Sequence, residues 1–233
     1  LRCCTVGGQT MPKPKMEEVE ARFGCPLIEL WGMTELGGLG TTFASNGPVK
    51  HGSIGVALPY TEARIADAED SNKTLQAGEV GELMIRGGIV MQGYYGNEKA
   101  TQETIEPDGW LHTGDLASMD EDGCVFIVDR KKDMILTAGY NVYPAEIERV
   151  VAGHPDVALV AVGSIPDAAK GELAKAYIVP KVGVTPSAQA IVDYCREHLA
   201  AYKVPRAVQF VDDLPKTSTG KVMRRELRTL DEH

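Results

Sequence analysis

Apolar positions along this chain recur with more than one period, and the changes of period divide it. In residues 12–23, PKPKMEEVEARF, Met16, Val19 and Phe23 fall at helical spacing behind two prolines, which predicts a short helix. PLIEL then reads as a buried strand, and WGMTELGGLG as the glycine-rich loop that leaves it. From Gly47 to about Val128 the pattern shortens to strands such as TEARIAD, GELMIRG and CVFIVD. Turns such as EPDGW and DEDGC separate them, which predicts a β-rich subdomain.

After DRKKD the texture changes again. Pro144 opens a helix, PAEIERVVAG, with Ile147, Val150 and Val151 on one side and Gly153 as its stop. DVALVAVG, KAYIVP and AVQFV read as strands. Thr185 is the expected cap of a helix opened by Pro186, with Ile191, Val192, Cys195 and Leu199 as its apolar stripe. The expected organisation is therefore an α/β portion containing the β-rich subdomain (1–130, with strands over about 47–128), then a small α+β domain (131–233). The boundary falls near Arg130 to Lys132.

The 233 residues are 43% hydrophobic, enough for one large domain or two smaller ones. Their formal charge of −9 lacks the clustered positive face that nucleic acid requires. Five scattered cysteines form no CxxC pair, which argues against a zinc site or a disulfide framework and for a reducing, cytoplasmic location. No apolar run approaches the roughly 20 residues that span a membrane. The chain opens at Leu1 without an initiator Met or signal-peptide pattern, so we expect a portion of a longer protein.

Several stretches carry candidate chemistry, each with a plain structural alternative. TSTGK resembles a phosphate loop, but the leading glycine would fall at Pro215 and Val222 follows Lys221. Taken alone, Lys221 is a solvated lysine. LWGMTELGG places Trp31, Gly32, Thr34 and Glu35 after a strand: a ring for a purine face, a hydroxyl for a phosphate, a carboxylate for Mg²⁺. It reads equally as a packed loop. GWLHTGDLA places Asp115 in a tight turn, where a carboxylate suits a sugar diol or merely forms the turn. His112 reads as structural or exposed. The cluster Arg130, Lys131 and Lys132 is a charge run at the boundary and a candidate hinge.

In order and spacing, VGGQTMP, ELWGMTELGG, GELMIRGGIVMQGYYG, WLHTGDLA, VDRKKDMILTAGYNVYPAEIE and LPKTSTGKVMRREL resemble the adenylate-forming superfamily, over essentially the whole chain. That superfamily comprises acyl- and aryl-CoA synthetases, peptide-synthetase adenylation domains and beetle luciferase. The TSTGKVMRREL ending resembles the CoA ligase branch. The resemblance implies the tail of a large adenylating domain followed by a small mobile domain. It also implies a two-step reaction: a carboxylic acid and ATP·Mg²⁺ give an acyl-adenylate, and coenzyme A then displaces AMP.

Carried over by position, Trp31 would stack on adenine, and Gly8, Gln9 and the run Glu29, Leu30, Trp31, Gly32 and Met33 would line the nucleotide pocket. Thr34 would bind the α-phosphate and Glu35 the metal. Asp115 and Arg130 would bind the ribose, with Ile127 beneath the base. Lys221 would bridge carboxylate, ribose and α-phosphate, Lys132 would be the hinge, and Gly139 with Tyr140 would meet CoA. Ala138 and Tyr140 depart from the small residues usual around that glycine. Gly32 and Gly38 would border the acyl pocket, glycine at 32 implying an acid larger than acetate, fatty or aromatic. The family's phosphate loop lies upstream of GGQTMP, so the missing N-terminal portion of the same enzyme is an expected partner and the chain alone should not adenylate. Two alternatives stay open: an adenylation domain loading a carrier protein, and a non-catalytic nucleotide-binding subunit. Homo-oligomerisation is left open as well.

Overall fold

The computed structural model describes every residue except Gln9, Thr10, Pro12, Thr219 and His233, and the side chain of Glu232. The chain divides into two units, Leu1–Lys131 and Lys132–His233.

The first unit opens with a strand–helix–strand: β1 (Cys4–Gly7), α1 (Lys13–Phe23) and β2 (Leu27–Leu30), the two strands parallel. Met16 anchors α1 by complete burial, but Phe23, expected on the same face, is 53% exposed. Strands of four residues leave the last turn of the helix uncovered, and Gly24 then turns the chain back at φ +64°. A short antiparallel pair, β3 (Thr41–Thr42) and β4 (Val56–Ala57), leads to a four-stranded antiparallel sheet. Its strands β5 (Thr61–Ala66), β6 (Gly81–Gly87), β7 (Leu111–Met119) and β8 (Val125–Arg130) lie side by side in chain order. Leu83, Ile85, Leu111, Ala117 and Val125 are fully buried at its centre. A helix that the apolar pattern did not signal, α2 (Glu98–Thr104), buries no residue and is started by the Asn97 side chain, which accepts from the Ala100 amide at 3.1 Å.

The second unit is built on a long antiparallel pair, β11 (Val157–Asp167) and β12 (Gly171–Pro180). The far edge of β12 carries β13 (Ala207–Phe210) in parallel and, at Gly171, a bridge to the small hairpin of β9 (Ile135–Thr137) and β10 (Tyr140–Val142). Two helices, α3 (Pro144–Ala152) and α4 (Ala188–His198), supply Ile147, Val151, Ile191 and Cys195 to a core with Val162, Ala176 and Ile178. Two helix ends differ from expectation. Ser187, not Thr185, caps α4, its hydroxyl accepting from the Ala190 amide, because Pro186 still lies outside the helix. Gly153 ends α3 in right-handed geometry at φ −73°; a Cβ there would stand 2.9 Å from the Tyr194 hydroxyl, so close packing selects the glycine. The last segment, a 3₁₀ turn over Arg224–Glu232, buries Leu227 against Ala161, Tyr177 and Leu214.

No helix among the described residues is long and apolar enough to cross a membrane. Ile178 sits at zero exposure on the central strand of the second unit. Ile178→Ala should therefore lower that unit's stability by about 2–5 kcal/mol, measured by urea unfolding followed through amide exchange in β12 and α3.

Candidate active site

Parallel strands end at the same edge, and in α/β sheets ligands collect beyond that edge. Here Gly7 pairs with Leu30, so β1 delivers Gly8 and β2 delivers Trp31 to one place. The strands approach closely there: a Cβ on Gly7 would lie 2.9 Å from the Leu30 carbonyl oxygen. Gly8 turns away with φ +83°. Gln9, assigned to the same edge, lies outside the described residues. Glu29 points its carboxylate inward at 5% exposure, where burial pushes its pKa up and Oε2 finds no hydrogen-bond partner among the described residues.

Asp115 was expected in a tight turn, but β7 runs straight through it. Leu116 pairs with Glu82 and His112 with Met84, so Thr113, Gly114 and Asp115 all face Leu83. This bulge is held from within. The Thr113 hydroxyl donates to the Leu83 carbonyl at 2.6 Å and accepts from the Asp115 amide at 3.1 Å, while Gly114 adopts φ +70°. The bulge aims a carboxylate that is 5% exposed. Its Oδ2 accepts from Trp31 Nε1 at 2.8 Å, and its Oδ1 pairs with Arg130 Nε at 2.5 Å, Arg130 being its neighbour across the ladder to β8. Three residues selected from separate motifs thus form one cluster. Ile127 packs on the same apolar cluster as Trp31, Met33 and Leu36.

The loop after Trp31 folds over itself. Thr34–Leu36 forms a 3₁₀ turn closed by Gly37 at φ +68°. Thr34 stands exposed, and Glu35 is fixed twice: its carbonyl accepts from the Met91 amide at 2.8 Å, and its Oε1 from the Tyr94 hydroxyl at 2.7 Å. That bond raises the Tyr94 pKa. Tyr94 was not singled out from the sequence; nothing in GYYG shows a partner 59 residues away. At Gly32 a Cβ would lie 2.0 Å from the Gly38 carbonyl oxygen and 2.7 Å from Leu39 Cα. Glycine is therefore required first by the loop's own packing, before any space it leaves for an acyl group. Gly38 takes φ +111° to make that approach.

Glu82 was also not singled out, although it is a lone charge in a strand otherwise apolar over Leu83–Ile85. At 3% exposure its Oε2 accepts from Lys131 Nζ at 2.7 Å and meets His112 Nδ1 at 3.2 Å, and its Oε1 accepts from the Gly114 amide at 3.1 Å. Burial alone would raise its pKa, but the bonds from His112 and Lys131 outweigh it and hold the carboxyl at about 2. His112 is shifted up in turn by its bond to Glu82 and by Glu106, whose Oε1 lies 3.2 Å from Nε2. Arg64 approaches the other Glu106 oxygen at 3.5 Å.

The remaining assigned residues lie in the second unit. Lys132 is exposed within the 3₁₀ turn Lys131–Asp133. Gly139 and Ala138 form the two-residue loop of the β9–β10 hairpin, both with positive φ (+83° and +49°), the type I′ geometry that fits strand twist. Tyr140 is 56% exposed and stacks on Tyr202 with ring centroids 4.7 Å apart. Lys221 is exposed on a closed loop: Lys216 bridges Val222, and the Thr217 amide and hydroxyl bond the carbonyl and amide of Lys221 at 2.8 and 3.1 Å. Behind it Arg224 clasps Glu148 at 2.6 Å and Asp133 at 3.2 Å.

The family described as AMP-binding enzyme matches residues 1–95, and that described as AMP-binding enzyme C-terminal domain matches residues 146–221. A long-chain-fatty-acid–CoA ligase of Salmonella typhimurium is 45% identical over 222 residues, which are 95% of this chain and 39% of the relative. Among solved structures, ATP-bound MatB from Rhodopseudomonas palustris superposes with a TM-score of 0.90 at 35% identity, over 97% of this chain and 44% of that one. O-succinylbenzoate coenzyme A synthetase (MenE) from Bacillus subtilis, in complex with ATP and magnesium ion, does so at 0.84 and 35%, over 97% and 46%. The chain spans less than half the length of each.

The Glu82 network fixes a pH window. A carboxyl lowered from 4.5 to about 2 adds stability that is complete above pH 4.5 and lost as pH falls toward 2. A histidine raised above 6.5 adds stability that is complete below pH 6.5 and lost as pH rises through its folded value. Chemical denaturation across pH should show the wild-type advantage over Glu82→Gln shrinking below pH 4.5. An NMR titration should place the His112 midpoint above 6.5 in wild type and lower in that variant.

Proposed function

The chain belongs to the AMP-binding enzyme family, and from that premise we propose that it is the C-terminal part of an AMP-forming carboxylic acid:CoA ligase. The observation that carries this reading is the cluster of Trp31, Asp115 and Arg130 at the carboxyl edge of β1 and β2. Its shape suits a nucleoside: an aromatic face beside a paired carboxylate and guanidinium that can meet two ribose hydroxyls. Relatives named as CoA ligases and neighbours solved with ATP support the same substrates here.

In the first step a carboxylate oxygen attacks the α-phosphorus of ATP and pyrophosphate leaves. In the second the thiol of coenzyme A attacks the acyl carbonyl and AMP leaves. Such chemistry asks the protein mainly to position groups and to offset developing charge. Thr34 donates to the α-phosphate, and Asp115 with Arg130 holds the ribose. The donor set at Glu35 fits Mg²⁺, which takes one or two carboxylates and fills its shell with phosphate oxygens and water. Bound there, the ion would neutralise charge on the phosphates, and Tyr94 would keep the carboxylate oriented. Lys221 supplies a compact positive charge to adenylation, Lys132 acts as the pivot between the two steps, and the Gly139 turn beside Tyr140 receives the pantetheine arm. We assign the enzyme to a reducing, cytoplasmic setting, which suits five free cysteines.

Two outcomes test this reading. In a full-length enzyme carrying this chain, Lys221→Ala should cut adenylation by about 10²- to 10³-fold while largely sparing thioester formation from supplied acyl-adenylate. Equal loss in both assays would refute the role of Lys221. Fatty or aromatic acids should turn over faster than acetate; acetate as the better substrate would refute the acid class.

A further inference from the structure

Asp115 and Arg130 face each other across β7 and β8, and a single buried side chain grips the residue beside each. The Gly114 amide, freed from the ladder by the bulge, donates to one Glu82 oxygen at 3.1 Å. Lys131, next to Arg130, donates to the other at 2.7 Å. The Arg130 side chain is 46% exposed and that of Lys131 39%, whereas the Glu82 side chain is at 4%, so the fixed point of the arrangement is the carboxylate. His112 on β7 closes the set, backed by Glu106 and Arg64. A strand bulge with glycine at its centre and a strand end at a unit boundary are both places where backbone drifts.

We propose that Glu82 is the positioning residue for ribose recognition, holding the bulge before Asp115 and the strand end after Arg130 so that the pair presents a fixed geometry to the sugar diol. The inference rests on the reading of Asp115 and Arg130 as the ribose-binding pair. Glu82 touches no ligand atom. It acts by fixing two backbones, and a misplacement of this kind is felt as lost discrimination between sugars.

The test is the ratio of dissociation constants for 2′,3′-dideoxy-ATP and ATP, measured by titration calorimetry on a full-length enzyme carrying this chain. Asp115→Asn should collapse the ratio toward one. Glu82→Gln, which keeps the shape and an acceptor for Gly114 but loses the charge that holds Lys131, should lower it about tenfold. Lys131→Met should shift it in the same direction, and decides the matter should Glu82→Gln fail to fold. A purely structural Glu82 would weaken both nucleotides equally. An unchanged ratio in Glu82→Gln and Lys131→Met, with Asp115→Asn collapsed, would overturn the proposal and leave the ribose reading standing. An unchanged ratio in Asp115→Asn would remove both.

Discussion

Burying an ionised carboxylate is costly unless its charge is answered, and the first unit answers it twice within one strand pair. Asp115 is answered by Arg130 and the Trp31 ring nitrogen, Glu82 by Lys131 and His112. The answers interlock, since Lys131 follows Arg130 in the chain and Gly114 precedes Asp115. Almost everything else at the site is arranged around that need. The bulge in β7 creates the free amide that Glu82 accepts, and Thr113 satisfies the Leu83 carbonyl that the bulge leaves open. The apolar centre of the sheet supplies the low-dielectric surroundings in which these pairs are strong enough to fix geometry.

What could be read from the sequence followed the strength of local periodicity. Ile147, Val151, Ile191 and Cys195 recur at helical spacing and are all fully buried. The helix Glu98–Thr104 has no apolar face, so only its Asn97 cap was there to announce it. Residues chosen from motif order rather than from periodicity came together in part. Trp31 and Asp115 are 84 residues apart yet share a hydrogen bond. The supporting residues were another matter. Glu82 stands out as a charge before the apolar run Leu83–Ile85, but its partners lie on β7 and just past the end of β8, and Tyr94 reaches Glu35 from a different loop. Bulges hide for a similar reason: HTGDL reads as a turn because Gly-Asp usually is one, and only strand pairing shows that the ladder resumes beyond it.

Gly32 and Gly153 make a related point about close packing. Both were read as conformational or pocket-forming glycines, yet each has ordinary φ and is selected because another group occupies the space of its missing Cβ. A glycine in a sequence states that something is near or that something bends, and the letter alone does not say which.

The closed loop around Lys221 has a consequence of its own. The hydroxyl and amide of Thr217 hold both backbone groups of that lysine, while Leu227 and Arg224 pin the segment behind it. Were the ammonium to engage an anion, as proposed, the main-chain groups of Lys221 would already be bonded, and its own ordering would fall mainly on the rotors of one side chain, about 2 kcal/mol at most. A lysine on a slack tail would surrender the disorder of several residues for the same contact. The two ends of the loop are thus tied to each other, and the lysine side chain reaches out from one of the tied positions.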